Sequence, residues 1–306
     1  MRDVIDNTIA QIGTVLLGKE PQIRLALACL LSRGHLLIED LPGMGKTTLS
    51  QALARVLGLS YTRIQFTSDL LPADILGVSV FDKNSASFQF HPGPIFNQLI
   101  LADEINRTTP KSQSALLEAM EEQQVTIEGA TRPLPTPFFV IATQNPNNQG
   151  GTFALPESQL DRFLMRIELG YPDPVAERQL LKGEDRRQVL TRLQPTMTPA
   201  QLAELQNQCQ QVKVSEALLD YIQRLVAYTR QAPEFAYGLS PRGALALLAC
   251  AKSWALLEER EHVVPEDVQA VLPAVVEHRL RETADFSGHG AGGLTQRLLS
   301  KVDIIG

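Results

Sequence analysis

The sequence predicts an α/β fold, a parallel sheet covered by helices on both faces, followed by an all-helical C-terminal region. Three observations carry this prediction. Short, near-continuous apolar runs alternate with helical patterns up to about residue 170, as strands buried on both faces of a parallel sheet require. The stretch His35-Leu-Leu-Ile-Glu-Asp-Leu-Pro-Gly-Met-Gly-Lys-Thr-Thr-Leu49 reads as strand, glycine-containing loop and helix start. From Tyr171-Pro-Asp-Pro174 onward only helical periodicity remains, so the expected division is an α/β core at 1–170 and a helical domain at 171–306.

Taken in order, Val4, Ile5, Ile9, Ile12, Val15 and Leu16 give an amphipathic first helix that Gly18 ends. Pro21 suits the first turn of a second helix running to about Arg33. The glycine loop feeds a helix from about Gly45 to Leu57, closed by Gly58, and Tyr61–Phe66 reads as a strand. Asp69 to Gly77, with Pro72, is a loop or short helix. Val78–Phe81 and Ser87–Phe90 flank a polar turn and read as a hairpin, as does the stretch from Val125 around Gly129. Leu99–Asp103, Phe138–Thr143 and Met165–Leu169 are further strands, with helices at Pro110–Glu122 and Pro156–Phe163. Beyond them, helices are expected at 174–188, 199–210, 215–231, 241–259 and 265–281, and a Gly-rich piece from Gly288 to Gly293 precedes a last amphipathic turn.

The 306 residues, 44% hydrophobic and 20% charged, suit a globular protein with a sizeable core. A net charge of −6 runs against general attraction to nucleic acid or acidic membranes. Cys29, Cys209 and Cys250 lie far apart in helical surroundings, so they read as buried free thiols in a reducing, cytoplasmic setting. Acidic and amide residues interrupt the N-terminal apolar stripe, which excludes a secretory signal, and no apolar run is long enough to cross a bilayer. The five histidines form no metal-spaced cluster. Trp254, among leucines, reads as helix packing.

The chemistry begins at the glycine loop. Gly43 and Gly45 permit a sharp turn and close approach to an anion, and the N–H groups at the following helix start favour phosphate. Lys46 can reach the outer phosphates, and the Thr47 hydroxyl is placed to coordinate Mg²⁺. Asp40 stands where this loop type has its first glycine, and its carboxylate repels a triphosphate unless it points away. Leu99-Ile-Leu-Ala-Asp103-Glu104 ends a buried strand in two acids at the carboxyl edge of the sheet, where open α/β folds bind ligands. Asp103 would complete the Mg²⁺ shell opposite Thr47, and Glu104 would polarise the attacking water, a pairing that favours hydrolysis. Asn145, ending another strand, can hydrogen-bond both a lytic water and a phosphate oxygen.

The sequence resembles the AAA+ ATPases and, within them, the MoxR family. The resemblance rests on Glu39-Asp-Leu-Pro-Gly-Met-Gly-Lys-Thr-Thr48, Leu101-Ala-Asp-Glu-Ile-Asn-Arg107, Leu116-Leu-Glu-Ala-Met-Glu-Glu122, Ile141-Ala-Thr-Gln-Asn-Pro146, Leu160-Asp-Arg-Phe163 and Leu239-Ser-Pro-Arg242. It implies an ATPase core with a helical lid, assembled as a ring, usually a hexamer. The Walker A loop Pro42, Gly43, Met44, Gly45, Lys46, Thr47 and Thr48 would hold ATP, with Gly18 bordering the adenine and Asp103-Glu104 as the Walker B acids. Asn145 matches the first sensor. Arg242 matches a second sensor reaching the γ-phosphate of its own subunit. Arg162 matches an arginine finger offered to the neighbouring subunit, a duty that Arg166 could share. A surface ion pair with Asp161 or Glu157 is the plainer role for Arg162. The two hairpins would face the ring's centre. The resemblance also implies chaperone-like work on a protein client, with metal-cofactor insertion among its forms, often beside a von Willebrand factor A-type partner. Two rival readings stand beside it: a DNA-translocating ring, and a nucleotide-gated scaffold that does not hydrolyse.

Overall fold

The N-terminal stripe folds as expected: in α1 (Arg2–Val15), Ile5, Ile9 and Ile12 recur at helical spacing and are all buried. The computed structural model describes residues 2–145, 151–183, 185–283 and 292–304. After α2 (Glu20–Leu31) come β1 (Leu36–Glu39), α3 (Lys46–Val56), β2 (Tyr61–Gln65) and α4 (Pro72–Leu76). Hairpin β3 (Gly77–Asp82) and β4 (Ser87–Pro92) precedes β5 (Leu99–Asp103) and α5 (Pro110–Glu122). A second hairpin, β6 (Gln124–Ile127) and β7 (Ala130–Pro133), leads to β8 (Phe139–Gln144), α6 (Glu157–Leu160) and β9 (Met165–Ile167).

Five strands form one parallel sheet in the order β2-β5-β8-β1-β9. Because side chains alternate across a strand, Leu36 and Ile38 face one layer and Leu37 the other. The Leu36 face packs with α1, α2 and α3, and this cluster continues into the C-terminal helices. The Leu37 face, with Ile100, Val140 and Ala142, is covered by α4 and α5. In register, Glu39 lies beside Gln144, and Ala102 beside Ala142, so the ends of β1, β8 and β5 are neighbours.

The remainder contains α7 (Pro174–Lys182), α8 (Arg186–Arg192), α9 (Pro199–Gln211), α10 (Glu216–Gln231), β10 (Phe235–Tyr237), α11 (Pro241–Leu257), α12 (Pro265–Val276), β11 (Arg281–Glu282) and α13 (Gly292–Lys301). Three details differ from the sequence reading. The helix expected over 265–281 stops at Val276, and Arg281 lies in β11. The helix expected over 174–188 is two helices, because α7 stops at Gly183 and the Asp185 carboxylate caps the start of α8. The C-terminal region also holds a small antiparallel pair, β10 with β11, whose partners are too short and too distant in sequence to show a two-residue period. Most of the Gly-rich piece at 288–293 lies outside the described residues, as does Pro146 of the Asn145-Pro146 turn. All three cysteines are buried and free, and Trp254 packs on the core.

Candidate functional site

The glycine loop leaves β1 at the carboxyl edge of the sheet and turns through Gly43 (φ 86°) and Gly45 (φ 97°) into α3. Those left-handed angles are what glycine supplies without strain. A side chain on Gly45 would also meet Leu16 at 2.9 Å, whereas Gly43 faces open space. Asp40 carries its charge away from this opening. One of its oxygens accepts the Leu41 N–H at 2.8 Å, and the other accepts those of Leu169 at 2.8 Å and Gly170 at 2.7 Å. Its carbonyl oxygen accepts from Lys46 Nζ at 2.7 Å. Burial lowers the Lys46 pKa, opposed by the charges of Asp40, Asp103 and Glu104.

A cavity of about 340 Å³ opens here, lined by Pro42, Gly43, Gly45, Lys46, Thr47, Thr48, Arg63, Asp103, Glu104 and Asn145. Nine of these ten were expected from the sequence, and Arg63 was not. Met44 is not in the lining and packs against the core instead. Gly18 (φ 68°) is also outside it, close against Asp173 and Ala176, with Leu16 two residues before it touching the loop.

Asp103 is 8% exposed and its oxygens are both engaged: Oδ1 accepts from Thr143 Oγ1 at 2.6 Å, and Oδ2 from Arg63 at 2.5 and 3.0 Å. Glu104 sits in the left-handed region (φ 57°, ψ 50°), uncommon for a residue with a side chain and a frequent mark of a functional position. Its N–H donates to Thr143 Oγ1 at 2.8 Å, which fixes the turn. Its carboxylate accepts from Asn145 Nδ2 at 3.0 Å, Gln65 Nε2 at 3.2 Å and Arg107 Nε at 3.0 Å. Asn145 Oδ1 lies 3.4 Å from Lys46 Nζ, so phosphate-facing and water-facing groups are joined through one amide. The donor chemistry fits Mg²⁺, which favours a few hard carboxylate and hydroxyl oxygens completed by phosphate and water. Asp103 and Thr47 are those oxygens on one cavity.

The arginines separate from this group. Arg242 pairs with Glu121 at 2.5 Å and Asp161 at 3.8 Å, and Arg162 pairs with Glu121 at 3.0 Å. Glu121 ends α5 at the amino edge of the sheet, where the neighbouring Met120 carbonyl lies 3.3 Å from His35 at the foot of β1. The phosphate loop is at the opposite edge, on the order of 13 Å away along four strand residues. Arg242, expected to reach the γ-phosphate of its own subunit, thus stands away from its own phosphate loop in this structure. The start of α11 packs it beside Arg162 instead. Arg166 does not join them, because it is 19% exposed and held by Glu39 at 3.0 Å and Glu277 at 3.7 Å.

Known proteins resemble this chain in sequence and fold. The profile of the AAA family, "ATPase family associated with various cellular activities", matches residues 35–165, and an AAA lid domain matches 227–298. "Uncharacterized protein YeaC" of Bacillus subtilis is 42% identical over 99% of this chain and 96% of its own length. "Chaperone MoxR1" of Mycobacterium tuberculosis is 40% identical over 92% of this chain and 76% of its own. The chain belongs to the MoxR family of AAA+ ATPases. The crystal structure of a candidate ATPase from Cytophaga hutchinsonii superposes with a TM-score of 0.88 at 36% identity, covering 99% of this chain and 95% of that one.

Within the MoxR frame, the sequence reading missed the residues that act on the named ones. Thr143 lay inside a quoted motif but without a role, yet it orders both acids. Gln65 and Arg63 come from β2, whose alternation places both on the exposed side of a strand paired with β5. Arg279 is 4% exposed on its side chain and binds Asp161 at 2.7 Å and the carbonyls of Phe163 at 2.7 Å and Leu164 at 3.0 Å. It clamps the segment that carries Arg162, and no local pattern in the sequence marks it. Among the described residues, no helix is long and apolar enough to cross a membrane.

Proposed function

We propose that this protein is a Mg²⁺-dependent ATPase that works as a homo-oligomeric ring, a hexamer by family resemblance, remodelling protein clients in the cytoplasm. One observation carries the hydrolytic reading: Lys46, Thr47, Asp103, Glu104 and Asn145, drawn from three adjacent strand ends, line a single cavity. Lys46 and the loop N–H groups hold the phosphates. Thr47 and Asp103 hold Mg²⁺, which would neutralise charge on the β- and γ-oxygens. Glu104, oriented by Asn145, polarises the water. Asp40 no longer favours a scaffold that cannot hydrolyse, because its charge is taken up by three backbone N–H groups.

Arg162 and Arg242 serve the adjoining subunit, since both stand at the amino edge of their own sheet. A finger of this kind accelerates phosphoryl transfer by roughly 10³–10⁵. In this reading residues 1–170 form the ATPase core and 171–306 the lid, with Gly18 bordering the adenine where it abuts Asp173. Hairpin β3–β4, with Val78, Val80, Phe81 and Phe88 all exposed, offers the client an apolar surface. A von Willebrand factor A-type partner and metal-cofactor insertion fit the same family logic.

Phosphate release measured across protein concentration tests the core of this reading. Specific activity should rise as subunits assemble, and Glu104→Gln should bind ATP yet release almost no phosphate. Normal turnover in that variant would remove Glu104 from the mechanism.

A further inference from the structure

The acid Glu121 has a location that its own helix does not explain. A carboxylate in the last turn of a helix meets the negative end of the dipole, and α5 has no basic residue there to offset it. Its stabilisation comes from across the fold. Oε2 takes Arg162 at 3.0 Å and Oε1 takes Arg242 at 2.5 Å, one guanidinium per oxygen. Hydrogen bonding from Arg242, with the charges of both arginines, holds the Glu121 carboxyl below its ordinary value. The other nearby acid, Asp161, is committed to Arg279 at 2.7 Å.

These residues line a cavity of about 380 Å³ that presents Arg33, Arg162, Arg242 and Arg279 against only Glu121 and Asp161. The excess is cationic, so the cavity is suited to a further anion. A carboxylate and a terminal phosphoryl group offer paired oxygens to guanidinium in the same way, but the phosphoryl group carries more charge. The pairs are also partly exposed, with 53% of the Arg242 side chain and 35% of Glu121 open to solvent, so they can exchange.

We propose that Glu121 is an internal stand-in for the γ-phosphate of the adjoining subunit, occupying the Arg162–Arg242 fork until ATP arrives across the interface and displaces it. This rests on the reading that both arginines act in trans. The free subunit then carries its own competitor for ring closure. ADP, which has no γ-phosphate, leaves the fork on Glu121. Hydrolysis and phosphate loss would return the arginines to their own acid and loosen the interface.

The test is assembly with saturating ATP in the Glu104→Gln background, followed by sedimentation across protein concentration. Glu121→Gln removes the competing charge with little change in shape, and should lower the concentration for half-assembly by about fivefold for each interface. Glu121→Asp keeps the charge and should stay close to the parent. If Glu121→Gln assembles at the same or higher concentration, while Arg162→Ala and Arg242→Ala impair assembly, the stand-in is wrong and the trans reading survives. If neither arginine variant changes assembly in that background, nor phosphate release in the parent with Glu104 intact, the trans reading fails and takes the proposal with it.

Discussion

Asp40→Asn isolates what the unusual first residue of the phosphate loop does. The carboxylate accepts three backbone N–H groups, one from Leu41 and two from the Leu169–Gly170 segment where the core runs toward the lid. Asparagine has a single acceptor oxygen. If that oxygen stays on Leu41, the new NH₂ group faces the Leu169 and Gly170 donors; if it turns, Leu41 loses its acceptor. Asp40 is 9% exposed and Leu169 is 1% exposed, so water cannot easily replace the lost acceptor. At about 1–3 kcal/mol for each buried donor left without a partner, the substitution should cost about 3 kcal/mol. For a chain of 306 residues, at about 2.1 cal/mol/K of unfolding entropy per residue, that is a fall of roughly 5 °C in Tm. Thermal unfolding followed by circular dichroism, with and without nucleotide, measures it. Asp40→Gly, which installs the residue usual at this position, removes the acceptor of all three N–H groups and should fall at least as far. A Tm within about 1 °C of the parent for both variants would show that the backbone does not depend on this carboxylate.

Three further outcomes are expected. Lys46→Ala should abolish detectable ATP binding, because the cation buried between Asp40, Asp103 and Asn145 is gone; fluorescent-nucleotide titration at unchanged affinity would contradict the cradle. Mixing Arg162→Ala subunits with Glu104→Gln subunits should restore part of the phosphate release that neither has alone, since some interfaces then join an intact site to an intact finger. Persistent inactivity in mixed rings whose assembly has been verified would deny Arg162 that role. Arg279→Met should lower stability by about 2–4 kcal/mol in guanidinium titrations, because it strips partners from Asp161 and from two carbonyls around Arg162. A variant as stable as the parent would mean that the clamp is decorative.

The sequence by itself determined the chemistry-bearing strand ends. Glycines at 43 and 45, Lys46 opening a helix, and Asp103-Glu104 closing an apolar run are local patterns, and local patterns survive in one dimension. It also determined the layering, because the strand and helix periods differ. Only the tertiary structure decided which groups meet. The Asp40 side chain could point into the loop or away from it, and the choice was made by two N–H groups some 130 positions later. The edge of the sheet on which Arg242 stands follows from how α11 packs beside α2, α9 and α12, a matter of helix faces and crossing angles that no motif encodes. Glu121 was legible as part of a family string, but its two arginines come from segments about 40 and 120 residues downstream, and only folding makes them neighbours.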